Sequence, residues 1–500
     1  MDIKIKNFGP IAEGDISIKP LTIFIGPNNT GKSYAAVLVH CLYSAFNKLL
    51  WGTSYRRDRY MQLSKKGGLQ DVLEEDDNIK IRINKALEDL KKNNKFEAEI
   101  PEDIIVEVYS NLLHRFTDIL TEEISRAFAS NLKDLTGFNT KSFSLVIKFN
   151  GFSIPVEYAN NQVNINRKEL PIEDIQKEIQ KLKTYLKITT QEMHGSAMGW
   201  RSGVSERIEI EIDHRFLKSV PHEALVRDIQ EAIIQNISQR HLAQMMKKCH
   251  YLPAARSGIM QGHKAVSAAI ISEAPLAGLT KIEIPTLSGI TADFIISLIR
   301  LEKIGRGAKL EKVIDFIEED IIKGKISVQQ MKQLYPEFTY DINGMSLPLH
   351  RTSSMVSELA PIVLYLRYLV DKGDVLIIEE PEAHLHPGMQ RKLARAITLL
   401  IRNGVNVFIT THSDYLIEQI SNFIQMSELK EKERESLGYT KNDFLKPDEV
   451  SVHLFKYSDE KGTITEKLKV SNDGIPQEEF GKIAEELYEE KVKLQRKLGG

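Results

Sequence analysis

Residues 1–25 alternate apolar and polar side chains with a period of two. DIKIKNF and DISIKP each place every second residue on one face, and LTIFI is a short apolar run ending at a glycine, so three strands are predicted. After GPNNTGKS comes YAAVLVHCLYSAFNKLL, apolar enough for a buried helix. From about residue 51 to 135 the pattern fades. YRRDRY, SKKGG and EEDDNIKIRINKALEDLKKNNK are charged and poor in core residues, which predicts a mainly helical insertion with mobile segments. Residues 142–165 read as three strands turned at NG and NN. Residues 171–190 predict a helix and RIEIEID (207–213) a strand. Residues 215–250 and 264–332 read as mostly helical, divided by YLPAARSG and PTLSG. No heptad register persists for three or four turns, which argues against a long coiled-coil arm.

From residue 337 the pattern is compact again. EFTYDINGMSLPL is a hairpin signal, followed by a helix over about 356–371, a strand over 375–378, a helix over 388–402 and a strand over 405–411. Strand, crossover helix and strand at this spacing make a parallel βαβ unit. The expected fold is α/β, a mixed sheet flanked by helices and split by a large, mainly helical insertion. The expected divisions are 1–50 and 335–500 as the two parts of one head, 51–140 as a helical insertion, 141–215 as β-rich and helical, and 216–334 as helical.

Five hundred residues with 42% apolar and 27% charged side chains suit an ordinary globular chain with ample core. The formal net charge of −2 gives no overall affinity for polyanions, although a local basic face remains compatible with it. Two distant cysteines, Cys41 and Cys249, fit a reducing compartment better than a disulfide or zinc scaffold. The chain begins without a signal-peptide pattern and has no run of eighteen apolar residues, so a cytoplasmic protein without a membrane span is expected.

The chemistry begins at IGPNNTGKS. Gly26, four residues, then Gly31, Lys32 and Ser33 form a phosphate-binding loop between an apolar strand and an apolar helix. Glycines let backbone N–H groups turn inward around phosphate oxygens, and the helix N-terminus adds positive dipole there. Gly26, Pro27, Asn28, Asn29, Thr30, Gly31, Lys32, Ser33 and the following Tyr34 are the expected nucleotide contacts. Lys32 is placed on the β- and γ-phosphates and the Ser33 hydroxyl on Mg²⁺. Asn28 and Asn29 tolerate left-handed backbone best after glycine.

Strand 375–378 is aliphatic throughout, as a strand buried on both faces requires, and ligands of open α/β sheets sit at its C-terminal end. Glu379 and Glu380 follow it. Side chains alternate across a strand, so the two divide the work. Glu379 is assigned to Mg²⁺, and Glu380 to orienting or deprotonating the attacking water. His412, at the end of the next strand, is placed to donate a hydrogen bond to the γ-phosphate; a structural histidine is the alternative. His384 and His386 in PEAHLHP lack a third ligand and read as loop packing and subunit contacts rather than zinc ligands.

With these motifs together the chain resembles the ABC-type AAA ATPases of the OLD and RecF/Rad50-like group. The resemblance rests on NFGPI (7–11), GPNNTGKS (26–33), LIIEEPEAHLHP (376–387) and TTHSDYL (410–416), with YLPAARSG (251–258) a weaker match. It implies that Glu379 is the Walker B acid, Glu380 the catalytic base, His412 the switch histidine and AHLH the D-loop. It also implies ATP sandwiched between two protomers, each capping the other's phosphates with a signature serine. RTSSMVSEL (351–359) is the matching segment, with Ser353 and Ser354 as signature serines or, alternatively, a plain N-cap pair. Met355 and Val356 depart from the small and polar residues of the usual signature, and Tyr34 stands where many relatives have threonine. Pro361 would kink the following helix if it lies beyond the first turn.

Many relatives carry a C-terminal TOPRIM nuclease, but the 88 residues after His412 contain no Asp-x-Asp pair, so no nuclease domain is expected. The leading expectation is a Mg²⁺- and ATP-dependent ATPase that oligomerises around ATP. It would act as the sensor subunit of an antiphage defence complex and control a separately encoded effector such as a nuclease, with DNA or a phage protein as trigger. A RecF/Rad50-like DNA-maintenance ATPase is the second, and an ATP-bound assembly scaffold with negligible turnover the third. YRRDRY (55–60) and MKKCH (246–250) are the basic clusters a DNA-binding reading would use, and such clusters are more often solvated faces.

Overall fold

The computed structural model describes residues 1–51, 102–149, 152–160, 162–165, 184–189, 200–204, 208–213, 247–262, 287–301, 310–329, 336–458, 462–476 and 478–498, with 81, 84–85, 88, 97–99 and 245. These fall into two compact units. The larger takes Ile5–His40, Arg126–Asn139 and Lys248–Gly500, and the smaller takes Met1–Lys4, Cys41–Ser125 and Thr140–Lys247.

The strands are β1 (Asp2–Phe8), β2 (Ile11–Ser17), β3 (Leu21–Ile25), β4 (Glu97–Glu99), β5 (Phe143–Phe149), β6 (Phe152–Ala159), β7 (Gln162–Ile165), β8 (Thr184–Thr189), β9 (Trp200–Val204), β10 (Ile208–Asp213), β11 (Cys249–Leu252), β12 (Lys325–Gln329), β13 (Glu337–Ile342), β14 (Met345–Pro348), β15 (Val375–Glu379), β16 (Asn406–Thr410), β17 (Val450–Ser458) and β18 (Gly462–Leu468). In the larger unit the sheet order is β11-β15-β16-β3-β17-β18-β2. The first five strands are parallel, β18 turns back against β17, and β18 runs parallel to β2. It is a mixed sheet flanked by helices.

The centre of this sheet is also its driest part. β3 and β15 are buried at every position, which their uninterrupted apolar runs permit. Phe24 packs edge-on to Phe408 of β16 at 4.4 Å between ring centroids and lies 4.8 Å from Phe455 of β17, locking three adjacent strands. Helices with matching local signals flank the strands. α1 (Lys32–Trp51) starts at the end of the phosphate loop. α2 (Ser354–Tyr368) is capped by Ser353, α3 (Pro387–Arg402) by His386 with Pro387 at its first position, and α4 (Asp414–Gln425) by Ser413. α3 ends at Asn403 and Gly404, the latter at φ +82°, where glycine is the natural stop. A separate antiparallel meander, β12-β13-β14, turns at Asn343 and Gly344, both at positive φ, as the Asn-Gly signal requires.

In the smaller unit, β5, β6 and β7 form the antiparallel meander read from residues 142–165. A second sheet has the order β4-β8-β10-β9. Phe46 stacks on Phe116 at 4.0 Å and meets Phe149 edge-on, and Lys48 pairs with the buried Glu123.

Three sequence readings change. Residues 184–189, expected within a helix, form β8, which pairs in parallel with β10 and antiparallel with β4. Lys325–Gln329, expected as helix, is a strand because it pairs with β13. Cys249 and His250, expected at the end of a helical stretch, form a strand with Tyr251 and Leu252 of the dividing segment, pairing in parallel with β15. Within the expected insertion a helix spans Glu102–Phe128. YRRDRY, residues 171–183 and most of 215–250 lie outside the described residues.

No described helix is long and apolar enough to cross a membrane. Pro361 falls inside α2, well beyond its first turn.

The turn from β3 into the phosphate loop is sterically closed. Gly26 has φ +130°, and a Cβ there would lie 2.2 Å from the Phe455 carbonyl oxygen. Gly26→Ala is expected to cost about 1–3 kcal/mol in urea unfolding, the usual penalty of forced overpacking, and to lower nucleotide affinity with it.

Candidate functional site

The parallel strands β15, β16 and β3 are neighbours and end at the same edge. That edge gathers the loop at 26–33, the two glutamates and His412. Around the loop, left-handed residues bend the backbone: Asn29 at φ +62° and Gly31 at φ +86°. A Cβ on Gly31 would lie 2.7 Å from Pro10 Cγ, so the NFGPI turn abuts the phosphate loop. Asn7 and Gly9 of that turn are at positive φ and are held by Gly137 N–H on the Asn7 carbonyl and Leu135 O on the Gly9 N–H. Thr30 closes the loop by donating to the Pro27 carbonyl at 2.8 Å.

Lys32 is 6% exposed and donates to the carbonyls of Gly26 at 2.9 Å and Pro27 at 2.6 Å. Burial pulls its pKa down from 10.5 to about 8, opposed by Glu380 and Glu382. A dry ammonium at a helix N-terminus, inside a loop whose glycines leave no room for Cβ atoms, fits an anionic phosphate. Ser33 is exposed as the second residue of α1. Pro27, Asn28 and Asn29 are also exposed. Tyr34, expected as a nucleotide contact, is half-buried beside the loop. Its ring covers Gly9 and packs against Phe8 and Phe128, at 6.3 and 4.9 Å between centroids.

Glu379 ends β15, is 8% exposed and accepts a hydrogen bond on Oε2 from Ala254 N–H at 3.1 Å. Glu380 leaves the strand at φ +43°, an uncommon conformation for a side chain of this size. Its N–H donates to the Thr410 carbonyl at 2.9 Å, which fixes the turn, and its carboxylate is half exposed. Its Oε1 lies 3.9 Å from His412 Nε2. Burial lowers the His412 pKa, the Lys32 charge lowers it further, and Glu380 opposes both. The imidazole is therefore neutral near pH 7, with a donor to offer. Ser33 and Glu379 supply a hydroxyl and a carboxylate, the hard oxygen donors Mg²⁺ prefers.

Two residues were missed by the sequence reading. Arg256, in YLPAARSG, is fully buried. Its Nη1 donates to the Glu379 carbonyl at 2.7 Å, its Nη2 to the Glu380 carbonyl at 3.2 Å and its Nε to the Glu358 carbonyl at 3.1 Å. Glu358, 2% exposed, is its counter-charge at 3.2 Å. Glu382 is the other. One carboxylate oxygen accepts from Thr411 Oγ1 at 2.6 Å and His412 N–H at 2.8 Å, anchoring the turn that carries the histidine. Burial raises its pKa. The only available signals were the quoted YLPAARSG segment and the third glutamate of EEPEAH.

Ser353 caps α2, accepting from Val356 N–H at 3.4 Å, and Ser354 is the first helical residue. His386 caps α3 by accepting from Gly388 N–H at 3.2 Å. His384, at φ +59°, is exposed, with Nε2 4.0 Å from Glu358 Oε1. Among the described residues no group of three or more His, Cys, Asp or Glu could hold a metal.

Residues 1–417 match the model of the AAA ATPase domain family AAA_15, and the chain belongs to that family. No curated protein matches it. Among solved structures, the Smc head bound to the C-winged helix domain of ScpA is similar at 9% identity over 94% of this chain and 97% of that one, with a TM-score of 0.36. The SMC head domain from Thermotoga maritima is similar at 9% identity over 94% and 98%, with a TM-score of 0.32. The Pyrococcus furiosus Smc head domain with an extended coiled coil, bound to the C-terminal domain of ScpA, shows 10% identity over 97% and 98%, with a TM-score of 0.35. Scores this low carry no argument about this chain.

Two outcomes are expected. Arg256→Met removes one partner of a buried ion pair and orphans several carbonyls, so it should cost about 3 kcal/mol or more in denaturant unfolding; Arg256→Lys, lacking the planar fork, should recover only part. Lys32 titrates near pH 8 in the nucleotide-free protein, so ATP affinity should be flat below pH 8. Above that it should fall, approaching tenfold per pH unit as the ammonium loses its proton. Calorimetric titration from pH 7 to 9.5 reads this, and Lys32→Arg should flatten the decline whatever its base affinity.

Proposed function

We propose that this member of the AAA ATPase domain family hydrolyses ATP to ADP and phosphate at the edge formed by β3, β15 and β16. The carrying observation is the convergence there of Lys32, Glu380 and His412, which follow the ends of three neighbouring strands. In this reading residues 1–50 and 335–500 form the nucleotide-handling head.

Each side chain has a task that its surroundings support. Backbone N–H groups of residues 26–33 bind the phosphates, and the Lys32 ammonium exchanges its carbonyl partners for the β- and γ-phosphate oxygens. Ser33 and Glu379 would hold Mg²⁺, which when bound would neutralise charge on the phosphates. Glu380, its carboxylate half exposed beside His412 and its backbone held by Thr410, orients a water in line with the γ-phosphate and accepts its proton. Neutral His412 donates from its ring to a γ-phosphate oxygen. Glu382 and Arg256 position those two groups without touching substrate.

The finer reading follows the resemblance of the motifs around Gly26, Glu379 and His412 to the OLD and RecF/Rad50-like group. Two copies close over ATP, Ser353 or Ser354 of one facing the phosphates of the other. The nucleotide cycle then controls a separately encoded effector, such as a nuclease, in a cytoplasmic antiphage defence complex. ATP acts as a ligand that binds the closed pair more tightly than the open one, without which it could shift nothing.

Glu380→Gln tests the catalytic part. ATP binding should stay within a few-fold of wild type while turnover drops by at least about a hundredfold, in the range of lost general-base catalysis. Unchanged turnover in a steady-state phosphate-release assay would remove Glu380 as the base. The same variant should accumulate ATP-dependent pairs in sedimentation, and Ser353→Arg should abolish them.

A further inference from the structure

A helix, labelled α5, spans Glu478–Lys497. From Glu485 to Leu498 every residue is exposed except the half-buried Val492. Leu487, Leu494 and Leu498 are 62%, 55% and 85% exposed, and their spacing of seven and four puts them on one face. Helices of this length are marginal in water without packing on an apolar face. Over residues 485–498 that face is exposed and packs on none of the described residues.

The charges specify what covers it. Four anions, Glu485, Glu486, Glu489 and Glu490, are followed by four cations, Lys491, Lys493, Arg496 and Lys497. The change of sign falls midway between Leu487 and Leu494. A two-fold axis through that point brings Leu487 of one helix level with Leu494 of another copy. It also brings Glu485 level with Arg496 and Glu490 level with Lys491. The segment is thus complementary to itself when antiparallel, the geometry of an isologous contact. A parallel pairing would set glutamate against glutamate, which is unfavourable. This order of charge also opposes the helix dipole, but the dipole gives no reason for three exposed leucines on one face.

We infer that α5 pairs antiparallel with α5 of a second copy, forming a dimer contact that needs no nucleotide. It is separate from the ATP-dependent pairing of the heads and stands whether or not that pairing occurs.

Sedimentation velocity of the full chain, freed of nucleotide and held in EDTA, tests this. The 56.9 kDa chain should sediment as a dimer at micromolar concentration. Leu487→Asp with Leu494→Asp should weaken the dimer at least tenfold. Reversing the four glutamates to lysine should give monomers, and so should reversing the four cations to glutamate. An equimolar mixture of the two reversed chains should form heterodimers, an outcome that loss of folding cannot mimic. A monomeric wild type, a dimer indifferent to these changes, or a mixture that stays monomeric would each overturn the inference. Circular dichroism and retained ATP binding check that the variants fold.

Discussion

The buried guanidinium of Arg256 is the contact on which the candidate site depends. A charge with no exposure is costly unless every donor finds an acceptor. Here the acceptors are the carbonyls of Pro253, Glu358, Glu379 and Glu380, with the Glu358 carboxylate as counter-charge. Three segments are tied at one point: the turn after β11, the first turns of α2 and the end of β15. The clasp holds the peptides of the two adjacent glutamates through their carbonyls, while Thr410 holds the N–H of Glu380. A left-handed glutamate persists only when its surroundings over-determine it. With the backbone fixed from both sides, the carboxylates of Glu379 and Glu380 leave in different directions, one into the interior and one toward solvent.

Electrostatic tension at the same edge follows from burial. Lys32 and His412 are both pulled toward neutrality by desolvation, and Glu382 is pushed toward protonation. Lys32 further lowers His412, while Glu380 works against the lowering of both cationic groups. The ammonium is therefore under-solvated and close to its titration point, and an incoming polyphosphate restores a counter-charge to it. A lysine already satisfied by a carboxylate would gain far less from the same anion.

Much of this was legible because it is local. The aliphatic run before Glu379, the glycines at 26 and 31, the Asn-Gly turn at 343–344 and the Pro387 start of α3 each signal their structure within a few residues. Arg256 and Glu382 were not legible in that way. Their roles come from partners more than a hundred and about thirty residues away, respectively. Thr184–Thr189, Cys249–Leu252 and Lys325–Gln329 were not legible either: TYLKIT and KISVQ mix lysine with β-branched residues, and CHYL is four residues with neither. Thr184–Thr189 and Cys249–Leu252 become strands through partners well separated in sequence, whereas Lys325–Gln329 pairs with the next strand along the chain. The same holds for Tyr34. Its place after Ser33 says nothing of the glycine at position 9 that admits its ring or of the aromatic cluster it joins.

Under the proposed reading, the clasp also explains how an event at the start of α2 would reach the catalytic glutamates. Ser353 caps that helix, and Glu358 lies little more than a turn further along it. Glu358 bonds Arg256 through its carbonyl and Ser257 through its carboxylate, and its carboxylate is the nearest acid to His384. A partner nucleotide engaging the Ser353 end would load a helix whose buried glutamate shares one arginine with the Glu379 and Glu380 carbonyls. Packed ionic contacts of this kind shift between discrete arrangements rather than stretching. The two carboxylates would then be in place or out of place together. That coupling suits an ATPase whose turnover waits on a second copy.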